Sequence, residues 1–352
     1  MRLGLGLGQR MLTPDNFRFA WQLGCTDIVA HLTDYMEPVI DLARHEEMYS
    51  LESMLRLKAQ MNAEGLAFHA IENFCPAHWH DVLLDGPRRG EQIERLKTII
   101  RNAGRAGIPV FGYNFSIAGV WGLTSVEAAR GRARTAVFHD PAQTPIPNGT
   151  VWNFTYDPVA PEGFIAPISE EQLWDRVERF LREIIPVAEE AGVVMAAHPD
   201  DPPLATVRGT ARLVYKPDYY RRLLDLYPSP SNKLEFCMGT TAEMTEGSVY
   251  EAIAEYGRDF GYIHFRNVRG KVPHYDEVFL DEGDIDMIRA LRLCKRSGFD
   301  GVLIPDHTPM TQCAAPWHAG MAYALGYMRA AMTMIEREEA NGREGAEEAV
   351  NG

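Results

Sequence analysis

Basic residues are in short supply in this 352-residue chain: 35 Lys and Arg stand against 49 Asp and Glu, a formal net charge of −14. Nucleic acids select for basic patches, so no nucleic-acid partner is expected. An anionic ligand would have to be held by local arginines or a metal ion, because the overall field repels it. Cysteine is also sparse. The five residues Cys25, Cys75, Cys237, Cys294 and Cys313 show no paired spacing. An odd number without a framework argues against a disulfide scaffold and fits a reducing cytoplasm. No apolar run approaches the roughly 18 residues of a membrane span. The opening MRLGLGLGQRM runs straight into a strand-like pattern, without a secretory cleavage signature. Hydrophobic residues, in contrast, make up 46% of the chain, enough for one large core.

Short apolar runs alternate with helical patterns along most of the length. Strand candidates fall at about 2–7, 27–32, 67–73, 110–116, 193–199, 232–238, 261–267 and 301–306. Helical patterns fall at 14–23, 51–64, 90–107, 169–191, 216–227, 246–257, 284–297 and 317–336. Thr13-Pro14 reads as a cap followed by proline at the first helical position, and Ser169-Glu-Glu-Gln as a capping box. Eight such βα units predict an α/β fold, a single-domain (β/α)8 TIM barrel over residues 1–336. Residues 117–168, rich in Pro, Gly, Asn and aromatics, are too long for an ordinary connection. They are expected to form a lid over the barrel mouth or a contact in a homo-oligomer. Residues 337–352 read as a flexible acidic tail.

The chemistry-bearing residues cluster at the ends of the last four strand candidates. His198, Cys237, His264 and Asp306 close the runs VVMAAHP, KLEFCMG, YIHFRN and GVLIPDH. Side chains at the strand C-termini of a barrel converge on one mouth. Two imidazoles, a thiolate and a carboxylate there would hold a divalent ion, and this set suits Zn, Fe(II), Co or Mn better than Mg or Ca. Each residue alone has an ordinary reading as a strand-end hydrogen bonder or small core hydrophobe. Their coincidence on four successive strands favours ligation. Asp200 and Asp201, in HPDDPP, are expected to orient the ligands. Arg266, two residues beyond His264, is expected to grip a substrate carboxylate. Glu72, Asn73, Tyr113 and Asn114 are candidates for binding hydroxyls, and His307 is a candidate general acid or base. His78 and His80 are further candidates for meeting a substrate, with histidines of an exposed loop as their ordinary reading.

Taken together, HPDDPP, FCMGT, YIHFRNVRG, FLDEGDIDM and the terminal PDH resemble the mannonate dehydratase family. AIEN, IRNAGRAGIPVFGYNF and IIPVAEEAGVVMAAHPDDPP match it in the same order, over most of residues 1–336. The resemblance implies a TIM barrel using Mn2+ or Fe2+ to dehydrate D-mannonate to 2-keto-3-deoxy-D-gluconate. It implies metal ligation by His198, Cys237, His264 and Asp306, and an acid/base role for His307. Where the family carries Pro-Gly-Tyr, this chain reads Pro316-Trp317-His318, so His318, or else Tyr323, would stand in for the catalytic tyrosine. The loops after the third and fourth strands also depart from the family pattern, which leaves a different aldonate open as the substrate. Two other readings remain: a metal-dependent sugar isomerase or epimerase on a related barrel, and a carbohydrate-binding barrel without activity. Cys237 and a single carboxylate on the last strand fit the isomerase pattern less well, because such sites draw on several Glu and Asp residues.

Overall fold

The computed structural model describes residues 1–37, 39 and 41–351. Eight parallel strands close into a barrel: β1 (Arg2–Leu7), β2 (Asp27–Ala30), β3 (Ala67–Glu72), β4 (Val110–Tyr113), β5 (Val194–Ala197), β6 (Asn232–Cys237), β7 (Phe260–His264) and β8 (Val302–Ile304). Each strand pairs with its sequence neighbours, and β8 returns to β1. Helices including Pro14–Gln22, Leu51–Ala63, Arg89–Arg105, Glu170–Ala191, Asp218–Leu226, Val249–Tyr256 and Met287–Arg296 separate the strands. The Thr13 cap and the Ser169–Gln172 capping box both form. The helix that follows Ser169 stops where Gly192 takes a left-handed φ of 66°, a conformation that glycine adopts without strain.

Two layers of packing follow from the strand alternation. Val29, Ala70, Val110, Ala196, Tyr262, Val302 and Ile304 form one buried cluster within the barrel. A larger apolar layer joins strands to helices and contains, for example, Leu3, Ile28, Phe111, Phe180 and Leu303. Residues two further along from the inner set are therefore carried to the mouth. His31 follows Val29, Glu72 follows Ala70, His198 follows Ala196, His264 follows Tyr262 and Asp306 follows Ile304.

Several expectations need revision. The insertion after β4 contains regular structure of its own. Its strands Thr124–Ala129 and Ala133–His139 join a hairpin after β7, Asn267–Lys271 with His274–Val278, in a four-stranded antiparallel sheet. That hairpin lacks a strong apolar run, which is why the sequence pattern misses it. The last helix runs from Pro316 to Asn351 and so continues through the stretch read as a flexible tail, while Gly352 lies outside the described residues. The segment expected as an exposed loop forms the helix Pro76–Leu84, in which both His78 and His80 are buried. Among the described residues, no helix is long and apolar enough to cross a membrane.

His78 is fully buried, packs edge-on against Tyr49 and has no hydrogen-bond partner for either ring nitrogen among the described residues. Burial, helped by Arg95 and His45, pushes its pKa down to about 3. His69 is pushed down to about 4 by burial and Arg2. An unfolded chain protonates both near pH 6.5. Their contribution to stability is therefore complete above pH 6.5 and is lost as the pH falls toward 4, by up to about 1.4 kcal/mol per pH unit for each group. Denaturant titrations at pH 7 and pH 5 test this. His78→Phe should lose less stability than the parent chain between these conditions, and an identical loss would show that His78 is not a source of the acid sensitivity.

Candidate metal centre

At the barrel mouth, ring nitrogens of His198 and His264 and the Cys237 sulfur all lie within 4.8 Å of one another. Asp306 stands beside this triad, with Oδ2 3.6 Å from His264 Nδ1. Three of the four expected ligands thus converge tightly and the fourth adjoins them. The donor chemistry fits a divalent transition metal. Burial alone would raise the Cys237 thiol, but Arg266, His198 and His264 outweigh it and hold the group well below the usual thiol range. A thiolate is the form that binds metal. His198 Nδ1 lies 2.6 Å from the Pro199 carbonyl, which can only accept, so Nδ1 donates and Nε2 keeps its lone pair. His264 is buried, with neither ring nitrogen in a well-formed hydrogen bond among the described residues.

Arg266 sits behind the thiolate. Its guanidinium reaches Cys237 Sγ at 3.5 Å, Thr240 Oγ1 at 2.9 Å, Asp201 Oδ2 at 2.9 Å, Glu243 at 3.2 Å and Asp306 Oδ2 at 3.3 Å, and it also pairs with Glu277. It is 1% exposed and is absent from the cavity wall, so it meets protein acceptors in place of the substrate carboxylate expected for it. Asp201 also accepts from Tyr275 at 2.7 Å and from Thr240 at 3.1 Å, and so reaches the ligands through Arg266 and Thr240. Asp200 points elsewhere. It accepts from the Leu213 and Val214 backbone and pairs with Arg212, which ties down the following loop and leaves the ligands to Asp201.

A cavity of about 670 Å3 opens above the triad. Glu72, Asn73, Asn114, Asp201, Asp306 and His307 line it, together with His31 and Tyr35. Asn73 has a left-handed φ of 68°. The Gly112 carbonyl accepts from its backbone N–H, and the Tyr49 hydroxyl donates to its carbonyl. Such strain persists only where the surroundings fix it. Its Nδ2 donates to the Tyr35 hydroxyl, and its Oδ1 has no partner among the described residues. His307 is half exposed to the cavity, and its Nδ1 donates to Glu277 at 2.8 Å. Burial would lower its pKa, but Asp306 and Glu277 outweigh this and hold it at about 10. Trp152, Asn153 and Phe154 from the insertion, with Trp317 and Met321, complete the wall.

Three expected residues are elsewhere. Tyr113 has the opposite strand parity from Gly112 and packs on Phe180 of the helix Glu170–Ala191. His318 turns from the cavity to Asn16 Oδ1, at 3.0 Å, and packs on Phe19, so its neighbour Trp317 takes the place at the wall. Tyr323 is 38% exposed beside Phe279, next to Asp281 and Arg130. His78 and His80 also stay off the cavity wall, and His80 stacks on Tyr156. Sequence reasoning missed His31, Tyr35 and Glu235. His31 ends the second strand run. Glu235 lies two residues before Cys237, so alternation aims both into the barrel, and an acidic residue within KLEFC was the available signal.

The D-mannonate dehydratase (UxuA) family model matches residues 21–155 and 163–339. A mannonate dehydratase from Streptococcus equi subsp. zooepidemicus is 34% identical over 278 residues, covering 74% of this chain and 75% of the relative. Mannonate dehydratase 2 of Halalkalibacterium halodurans is 32% identical over 275 residues, covering 74% and 79%. The crystal structure of mannonate dehydratase from Streptococcus suis serotype 2 superposes with a TM-score of 0.78 at 26% identity, over 97% of this chain and 95% of that one. An L-ribulose 3-epimerase structure, at 14% identity and a TM-score of 0.60 over 96% and 97% of the two chains, shares the fold. With a family model spanning most of its length and relatives above 30% identity, this chain belongs to the D-mannonate dehydratase family.

Proposed function

We propose that the chain removes water from the sugar acid D-mannonate, giving 2-keto-3-deoxy-D-gluconate, with a divalent ion held by His198, Cys237, His264 and Asp306. The observation that carries this reading is the Cys237 thiolate beside two imidazoles, buried at the mouth of a family-typical barrel. Mn2+ and Fe2+ are the proposed ions. When bound, the ion supplies Lewis-acid stabilisation of the negative charge that develops as the C2 proton leaves.

The chain's own residues do the rest. His307 holds a proton at Nε2 and gives it to the departing C3 hydroxyl, while Glu277 fixes the ring through Nδ1. The C2 proton passes to a base on the cavity wall, the C3–O bond breaks as His307 donates its proton to the leaving hydroxyl, water leaves, and the resulting enol tautomerises to the 2-keto acid. Asn73 Oδ1, Asn114, His31 and Tyr35 bind sugar hydroxyls, and Glu72 acts through His31 and His264, from whose Nε2 atoms it lies 3.4 and 3.3 Å. Arg266 keeps Cys237 ionised from behind, and Asp201 holds the guanidinium in place. Trp152, Phe154 and Trp317 keep water out, which supports the lid reading for residues 117–168.

Incubation with D-mannonate, with Mn2+ and Fe2+ supplied separately and anaerobically, should yield a 2-keto-3-deoxy acid by colour assay and NMR. An isomerised or epimerised sugar would instead support the isomerase reading, and turnover confined to another aldonate would replace the substrate. No turnover on any aldonate, with no bound metal, would revive a binding role. Cys237→Ser is expected to weaken metal binding by about tenfold or more, since a neutral hydroxyl replaces the thiolate. Unchanged metal content on elemental analysis would remove Cys237 from the ligand set. His307→Ala should retain the metal and lose about 10²–10⁴ in kcat. A parental rate in that variant would end the acid role.

A further inference from the structure

Beneath the triad lies a carboxylate that the proposed chemistry does not use. Glu235 is 0% exposed, is not part of the cavity wall, and has no well-formed hydrogen bond to either side-chain oxygen among the described residues. Leaving a buried carboxylate unmatched is costly unless a neighbour pairs with it. That neighbour is His264: its Nε2 lies 3.2 Å from Glu235 Oε1 and 3.3 Å from Glu72 Oε2. The niche is built for this arrangement. A Cβ at Gly112 would stand 2.3 Å from Glu235 Oε2 and 2.4 Å from the Tyr262 hydroxyl, so β4 carries no side chain where the two meet.

We propose that Glu235 is a positioning residue for the metal ligand His264. It fixes the imidazole with its proton on Nε2 and its lone pair on Nδ1, toward Asp306, with Glu72 as a second acceptor. This inference rests on the metal reading above. A neutral imidazole has one lone pair and one N–H. Nε2 faces the Glu235 and Glu72 pair while Nδ1 faces Asp306, a proposed ligand of the same ion, so Nε2 is the nitrogen that donates to the pair and Nδ1 is left to bind the ion. Partners of this kind orient a ligating histidine and raise its basicity. Glu72, Glu235 and His264 also come within 4.8 Å of one another, as ligands of a separate cation would. One lone pair cannot serve both groups, and the thiolate marks the His198–Cys237 side as the stronger claim on it.

Co2+ titration of the chelator-stripped full chain tests this, read by metal per chain, by the thiolate-to-cobalt charge-transfer band and by the visible d–d bands. The wild type should bind one Co2+ with a thiolate band. Glu235→Gln and Glu235→Leu, checked for folding by circular dichroism, should bind about 10- to 100-fold more weakly and with shifted d–d bands. If the Leu variant does not fold, the near-isosteric Gln variant decides. Wild-type affinity and spectrum in a folded variant would overturn the positioning role and leave the metal site standing. Two Co2+ per chain would assign Glu72 and Glu235 to a second ion and overturn it equally. Absence of a thiolate band in the wild type would instead sink the metal reading on which it rests.

Discussion

The buried guanidinium of Arg266 holds the centre together, because it is the fixed positive charge among Cys237, Asp201, Glu243, Glu277 and Asp306. So many acidic groups could not otherwise be packed at the mouth of one barrel. Its pKa is held well above its ordinary value by Glu277, Cys237, Glu243 and Asp201, against the opposing effect of burial. Burial and the neighbouring Asp201 push Glu243 well up, and burial and Glu72 push Glu235 up. Removing one partner from a buried ion pair typically costs about 3–5 kcal/mol. The arrangement is therefore tolerable only as a whole, and Gly239 is part of it, since a Cβ there would stand 2.4 Å from Arg266 Nε.

The same hub connects the barrel to its excursions. Glu277 and Tyr275 come from the hairpin after β7, which pairs with Ala133–His139 of the insertion after β4. Glu277 touches both Arg266 and His307, while Tyr275 donates to Asp201. The small sheet thus orients the groups behind the thiolate and the histidine facing the cavity. The remainder of the insertion supplies Trp152, Asn153 and Phe154 to the cavity wall. Loops at the C-terminal end of barrel strands are where such barrels build their chemistry. Here two of them are joined by strand pairing, which limits how independently they can move.

Much of the fold is legible from local chemistry. Each of the eight barrel strands starts within one residue of its expected position, because strands buried on both faces need continuous apolar runs and the helices between them carry caps and terminating glycines. The placement of His198, Cys237, His264, Asp306 and His307 at or just past strand ends is legible too, and it is their coincidence on successive strands, not any one of them, that marks the candidate centre. The hairpin at 267–278 is not, because its strands alternate polar residues over a partly exposed sheet. Nor is the buried state of His78 and His80, which depends on a helix whose pattern is broken by Trp79 at φ −146°.

The sequence alone determined the barrel, the strand ends that carry donors, and the family. Periodicity, caps and motif order are local and survive without knowledge of contacts. Only the tertiary structure decided which of the nearby polar residues face the cavity. Arg266 stands behind the thiolate and Asp201 lines the cavity while accepting from Arg266, whereas Asp200, Tyr113, His318 and Tyr323 turn away from the ligands. His31, Tyr35 and Glu235 enter the picture. These assignments depend on which element packs against each side chain and on small residues such as Gly112 that open space for it. That information is non-local, and one residue of strand parity or a fraction of a helical turn is enough to reverse it.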